Sequence, residues 1–241
     1  SFNNIGGVCG YNNGTVANCY NTGAVSGSNS SVGGVCGNNY GGVKNCYNTG
    51  AVIGTGYYIG GVCGILNSGK IENCYSTGTV SGTDAVGGVC GYNGYSTISN
   101  CYFDSSKCDK NAVGLNNNGT VEKTEGKTTT QFANGEVAYL LQSGQTADEN
   151  GVTPEVWGQT IGTEDYPVLG GEKVYLTTGE CVYYTNTFFE GEQSHDYVNG
   201  FCTKCGAYQP ATLTTDKYDI NGDGQNDAVY EIGNAGQLYW F

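Results

Sequence analysis

Three sets of residues in this chain have the types and spacing to do chemistry. The first is Cys181, His195, Cys202 and Cys205, with Cys202 and Cys205 in a CxxC and His195 the only histidine. Three thiolates and one imidazole make a closed tetrahedral zinc site of the structural kind. The competing reading is two disulfides drawn from Cys108, Cys181, Cys202 and Cys205. A redox CxxC would sit beside a thioredoxin-like βαβ pattern, and none surrounds this one. The second set is Asp219, Asn221, Asp223 and Asp227, with Gly224 between the last two. Oxygen ligands at positions one, three, five and nine, with glycine at six, follow a calcium loop. Position twelve is Tyr230 rather than glutamate, so a solvated acidic turn stands beside the calcium reading. The third set is eight cysteines in pairs: Cys9 and Cys19, Cys36 and Cys46, Cys63 and Cys74, Cys90 and Cys101. Each pair could close a disulfide inside its own repeat, or all eight could be buried thiols, since cysteine behaves as a small hydrophobe. An exported setting tips the balance toward disulfides.

The elements that must position these cysteines come from one phrase said four times. It starts at Ile5, Val32, Ile59 and Val86, a fixed period of 27 residues. A period of this size is the mark of a solenoid or array. Each repeat holds three apolar pieces, IGGVCG, GTVANCY and GAVSG in the first, bounded by Gly, Asn, Ser and Thr. Val and Ile favour strands, and Gly is too frequent for helices. The expected fold is therefore all-β dominated: a parallel β-helix of about four 27-residue coils. One coil cannot bury its own apolar side chains, but a stack can. Equivalent residues then form ladders along the axis: Asn18, Asn45, Asn73 and Asn100, and Tyr20, Tyr47, Tyr75 and Tyr102. These ladders either hold the coils together or offer a Tyr/Asn surface to a glycan.

The phrase VGGVCGxNxGxVxNCYxTGxVSG resembles the GLUG motif, a repeat of large bacterial surface and secreted proteins. The resemblance covers residues 5–103 and departs in having Val-Cys where the motif's name implies Leu-Val. It implies an extracellular β-solenoid module and no catalytic residues. The phrase HDYVNGFCTKCG resembles the zinc-ribbon-like knuckles of clostridial surface proteins, which implies a Firmicutes-like source.

Composition narrows the function. Gly is 42 of 241 residues and Tyr is 20, with only 3 Pro, which fits turn-rich β structure rather than disorder. Residues 1–103 hold Lys44, Lys70, Glu72 and Asp84, which cancel, so the net charge of −13 falls beyond them. Arg is absent, which argues against nucleic acid as a partner. No apolar run is long enough for a membrane span. The absence of Met reads as a processed or excised piece of an exported chain. A carbohydrate enzyme needs carboxylate pairs. The repeats carry only Glu72 and Asp84, so a non-enzymatic reading leads and a polysaccharide-active enzyme trails. No organic cofactor is implied.

Beyond the repeats, residues 103–127 read as an irregular cap on the last coil, with strand echoes at AVG and GTVE. Thr128 and Gln131 form a capping box that opens one helix with an apolar stripe of Phe132, Val137, Leu140 and Leu141. Gly135 weakens this helix and Gly144 stops it. It is expected to cover the C-terminal end of the solenoid. The chain thus divides into a solenoid with cap over 1–121, a helical capping segment over 122–175, a small Cys/His module over 176–212 and an acidic stretch over 213–241. An uncovered β-edge ahead of the first repeat invites a strand from another subunit. Head-to-tail self-association into a filament follows as one expected partnership, with a glycan or host surface as the other. The expected setting is extracellular or cell surface, in an adhesive or structural role. Native intact-mass measurement separates the readings of the Cys/His set: one retained zinc, lost in His195→Ala, is expected. A metal-free chain with Cys181, Cys202 and Cys205 unavailable to alkylation contradicts zinc.

Overall fold

The computed structural model describes residues 3–28, 30–178, 186–190, 197–202, 209, 211–220 and 225–240. Its described residues form two units, Ser1–Tyr175 and Leu176–Phe241.

The first unit is the parallel β-solenoid that the period predicts. Asn3–Gly6 pairs with Ser30–Gly33, which pairs with Ile59–Gly60 and then Val86–Gly87, all parallel and in register. A second column runs Cys9–Asn12, Cys36–Asn39, Cys63–Leu66, Cys90–Gly94 and Val113–Asn117. A third runs Thr15–Ala17, Gly42–Lys44, Lys70–Glu72 and the first half of Thr97–Asp104. The second half of Thr97–Asp104 closes a fourth column made by Tyr20–Asn21, Tyr47–Asn48 and Tyr75–Ser76. Val25–Gly27, Val52–Gly54 and Val80–Ser81 make the fifth.

Each repeat therefore bends at two places that read as continuous strand in the sequence. IGGVCG breaks at its glycine pair, because the first and second columns pack backbone to backbone there. A Cβ at Gly33 would collide with the Cys36 carbonyl oxygen. GTVANCY breaks at its asparagine: Asn18, Asn45, Asn73 and Asn100 all have φ between 51° and 54°. Asn tolerates this left-handed conformation better than most residues. The asparagine ladder thus begins as a backbone requirement of the corner.

There is also a fifth, partial coil. Val113–Asn117 and Thr120–Lys127 pair parallel onto Cys90–Gly94 and Thr97–Asp104. The stretch read as an irregular cap is thus largely strand. Its pairing offset is 23 residues (Thr97 to Thr120) rather than 27, and Val113 and Thr124 stand where the repeats have cysteine. Those two changes hide it from a search for the phrase. The interior holds Val32, Val35, Val43, Val52, Ile59, Val62, Ile71, Val89 and Ile98, all fully buried.

The helical segment is two short helices rather than one, α1 (Thr129–Ala133) and α2 (Glu136–Ser143), separated by Gly135 at φ 88°. Thr128 and Gln131 form the expected capping box, and Gly144 is the C-cap of α2. These helices do not lie over the end of the solenoid. They pack on its flank, where Phe132, Val137, Leu141 and Trp157 form one buried cluster with Tyr75 and Tyr102. The apolar stripe goes where the tyrosines offer aromatic surface. Leu115 and Val121 on the last coil are left exposed.

In the second unit, Thr212–Tyr218 and Asp227–Glu231 form an antiparallel hairpin. Tyr197–Val198 pairs with Phe201–Cys202. Asn234 accepts a hydrogen bond from the Gln237 amide at the start of a helix over Ala235–Trp240. Among the described residues no helix is long and apolar enough to cross a membrane.

Candidate functional site: the ladders and their lateral cap

The tyrosine ladder is a stack of rings. Tyr20 lies 5.0 Å from Tyr47 with the ring planes 8° apart, and Tyr47 lies 5.0 Å from Tyr75 with the planes 3° apart. The corner asparagines hold the backbone bend from which each tyrosine follows two residues later. Tyr102 donates to Asn100 Oδ1 at 2.6 Å, and Asn100 Nδ2 donates to Asn73 Oδ1 at 2.7 Å.

This ladder is the seat of the lateral cap. Trp157 packs at 5.5 Å from Tyr75 and 6.0 Å from Tyr47, and Phe132 at 5.6 Å from Tyr75. Polar groups are matched as well. Tyr75 Oη donates to the Pro167 carbonyl at 2.6 Å. Gln145 Nε2 donates to Asn45 Oδ1 at 2.9 Å, and Asn100 Nδ2 to the Leu140 carbonyl at 3.1 Å. Asp104, buried beside the cap, accepts from Ser106 N and Oγ on one oxygen and from Thr129 Oγ1 on the other. The ladder therefore does not offer a four-ring surface to a glycan. Tyr75 and Tyr102 are buried under the cap and Tyr47 is partly covered, while Tyr20 stays exposed at 58%.

The cysteines of the repeats stand in two columns, and the structure carries all eight as thiols. Cys9, Cys36, Cys63 and Cys90 align through the second column. Each donates to the carbonyl two residues onward, at 2.9, 3.5, 3.1 and 3.2 Å. Cys19, Cys46, Cys74 and Cys101 lie at the asparagine corner. Each donates to the carbonyl two residues back, at 3.1, 3.2, 3.1 and 3.2 Å. Cysteines of one repeat thus belong to different columns. The two cysteines of each within-repeat pair stand as separate thiols in this structure. Cys108 is also a buried thiol, packed into the solenoid core.

Of the zinc set, Cys202 is described and buried, in the strand facing Tyr197. Cys181, His195 and Cys205 lie outside the described residues. Of the calcium set, Asp219 and Asp227 are described, and Asn221 and Asp223 are not. Asp227 Oδ2 accepts from Ile220 N at 2.8 Å, and the run connects the two strands of the hairpin. Among the described residues no group of three or more His, Cys, Asp or Glu could hold a metal ion.

Two further ladders escaped the sequence reading. Asn12 Nδ2 donates to Asn39 Oδ1 at 2.6 Å, and Asn21 Nδ2 to Asn48 Oδ1 at 2.8 Å. Each of these asparagines also closes its own turn, as Asn12 does by accepting from Gly14 N and donating to its carbonyl. Their 27-residue spacing was the available signal. The partners Gln145 and Pro167 gave none, because they lie outside the period.

The chain carries three GLUG motif repeats, at residues 28–53, 55–81 and 82–106. The first repeat, from Ile5, falls outside the matched stretches. Among curated proteins no match is found. A crystal structure of a candidate immunoglobulin A1 protease from Bacteroides ovatus is similar, with a TM-score of 0.47 and 22% identity. The similarity covers 70% of this chain and 64% of that one.

Burial makes the ladders sensitive to alkali. It pushes the Tyr75 phenol well above the usual tyrosine range and the Cys63 and Cys74 thiols well above the usual thiol range. A raised folded-state pKa adds stability that is whole below the unfolded pKa and lost as pH climbs through the folded one. The loss therefore begins above about 8.5 for the thiols and about 10 for the tyrosines. Urea midpoints should hold steady up to about pH 8 and fall clearly by about pH 10.5. A midpoint that is level or higher at the alkaline pH contradicts this burial.

Proposed function

We propose that this chain is a non-enzymatic structural and adhesive module of a bacterial surface or secreted protein. In this reading the solenoid is a stiff extracellular spacer, and the C-terminal unit carries small modules held by zinc and calcium. The observation that carries it is the register: the first four coils stack like residue on like residue, and the helical segment braces their flank rather than roofing a cleft. The GLUG repeats support an exported, surface setting, and the zinc-ribbon-like phrase supports a clostridia-like source. Chemistry is sparse along the rod. The Glu72 carboxylate is paired with Lys70 at 2.9 Å on the third column, and Asp84 lies in a turn. Self-association belongs to the same reading, because the exposed edge of the fifth coil can accept a strand.

Two measurements test the proposal together. Sedimentation and electron microscopy over a concentration series should show species that lengthen along one axis, and Val121→Lys should suppress them. Plant and host polysaccharides incubated with the chain should stay intact. A strict monomer at high concentration removes the self-association, and turnover lost in Glu72→Gln or Asp84→Asn removes the non-enzymatic role.

A further inference from the structure

A second aromatic surface lies away from the cap, on the outward face of the second column. Tyr11, Asn38, Ile65, Tyr92 and Leu115 follow one another there in register, one per coil. Tyr11 and Tyr40 are exposed, with ring centroids 5.5 Å apart. Two coils further along, Tyr58 packs 5.1 Å from Tyr92, and the exposed Tyr57 lies 6.4 Å from Tyr58. Tyr92 is laid along the sheet rather than projecting from it. Its ring edge occupies the space a side chain at Gly94 would need, 2.9 Å from the Cβ position, and Asn117 Nδ2 donates to its hydroxyl at 3.3 Å. Amides lie between the rings, with Asn67 Nδ2 donating to Asn38 Oδ1 at 2.8 Å.

The charge pattern narrows what can dock. The chain as a whole is strongly acidic, at −13. The strands of the first two columns and the turns after the second carry no charged residue through the first four coils. The charged side chains of the repeats, Lys44, Lys70 and Glu72, sit in the third column, and Asp84 in a turn before the first. Tyrosines and asparagines without charge suit a ligand that is itself neutral, with apolar faces and a hydroxyl rim. Sugar rings have that character, and tyrosine supplies both an apolar ring and a polar tip. Small molecules are bound in concave pockets. A surface that runs from coil to coil, roughly 4.8 Å per step, with rings on the first and fourth coils, suits a polymer laid along the axis.

We infer that the strip from Tyr11 and Tyr40 to Tyr58 and Tyr92 binds a neutral polysaccharide chain along the rod. This site is separate from the capped tyrosine ladder and does not depend on the spacer reading or on self-association. The test is retardation of the intact chain in native gels cast with hydroxyethylcellulose, xylan or galactomannan, beside polygalacturonate as the anionic comparison. At least one neutral polymer should retard the chain, and added salt should leave the effect unchanged. Tyr11→Ala with Tyr40→Ala, and Tyr58→Ala with Tyr92→Ala, should each weaken it by about tenfold or more. Tyr20→Ala, on the ladder, should leave it unchanged. Tyr58 and Tyr92 are half-buried, so the exposed pair Tyr11 and Tyr40 decides the matter where the other double variant fails to fold. Retardation by none of the neutral polymers, by polygalacturonate alone, or undiminished in the Tyr11/Tyr40 variant overturns the inference.

Discussion

Every strand in the solenoid finds its backbone partners one coil away, not one turn away. Val52 shows the pattern: its amide donates to Thr79 O, the Ala51 carbonyl before it accepts from Val25 N, and Val25 and Val80 flank it in register. A coil that slipped by one residue would turn its valines outward and its asparagines off their partners. The buried amides make this stricter than apolar packing alone. Asn39 is fully buried and accepts from Asn12 one coil away while donating to Gly41 within its own turn. A buried amide without partners costs about 1–3 kcal/mol. Like must therefore meet like, and the 27-residue period is the sequence expression of that requirement.

The lateral cap depends on the same stacking. Regular coils bring Tyr47, Tyr75 and Tyr102 to one side as a flat aromatic wall, and Trp157 and Phe132 cover it. The cap reads the polar ladder as well, since Gln145 and Leu140 reach Asn45 and Asn100 on coils two repeats apart. Asp104 and Thr129 tie the start of the helices to the last full coil. A ladder that looks like a binding surface in one dimension is thereby spent on internal packing, while the uncharged strip around Tyr92 is not.

The period, the parallel fold, the capping box at Thr128 and the stop at Gly144 were legible because they rest on local residue chemistry, whereas Gly135 read as a weak point in one helix and in fact divides two. What was not legible depends on contacts between segments of unrelated spacing. Nothing in Phe132 or Leu141 says whether a helix covers an end or a flank; the aromatic wall decides it, and the wall exists only after stacking. The fifth coil was hidden because Val113 and Thr124 replace the cysteines that mark the others. The corner asparagines are legible as a ladder, yet their positive φ is the prior constraint, which residue types alone do not reveal. The thiols show the same limit. Two cysteines per repeat are visible in the sequence, but not that the bends at Gly-Gly and at Asn place them in different columns, each beside its own carbonyl acceptor.

Parallel, in-register contact between successive repeats underlies every other feature of the solenoid. Nuclear Overhauser contacts between equivalent positions measure it most directly. Val25 should meet Val52, Val52 should meet Val80, and Ile71 should meet both Val43 and Ile98. Contacts that instead join neighbouring strands of one repeat as antiparallel hairpins, such as Cys9–Asn12 with Thr15–Ala17, would contradict it.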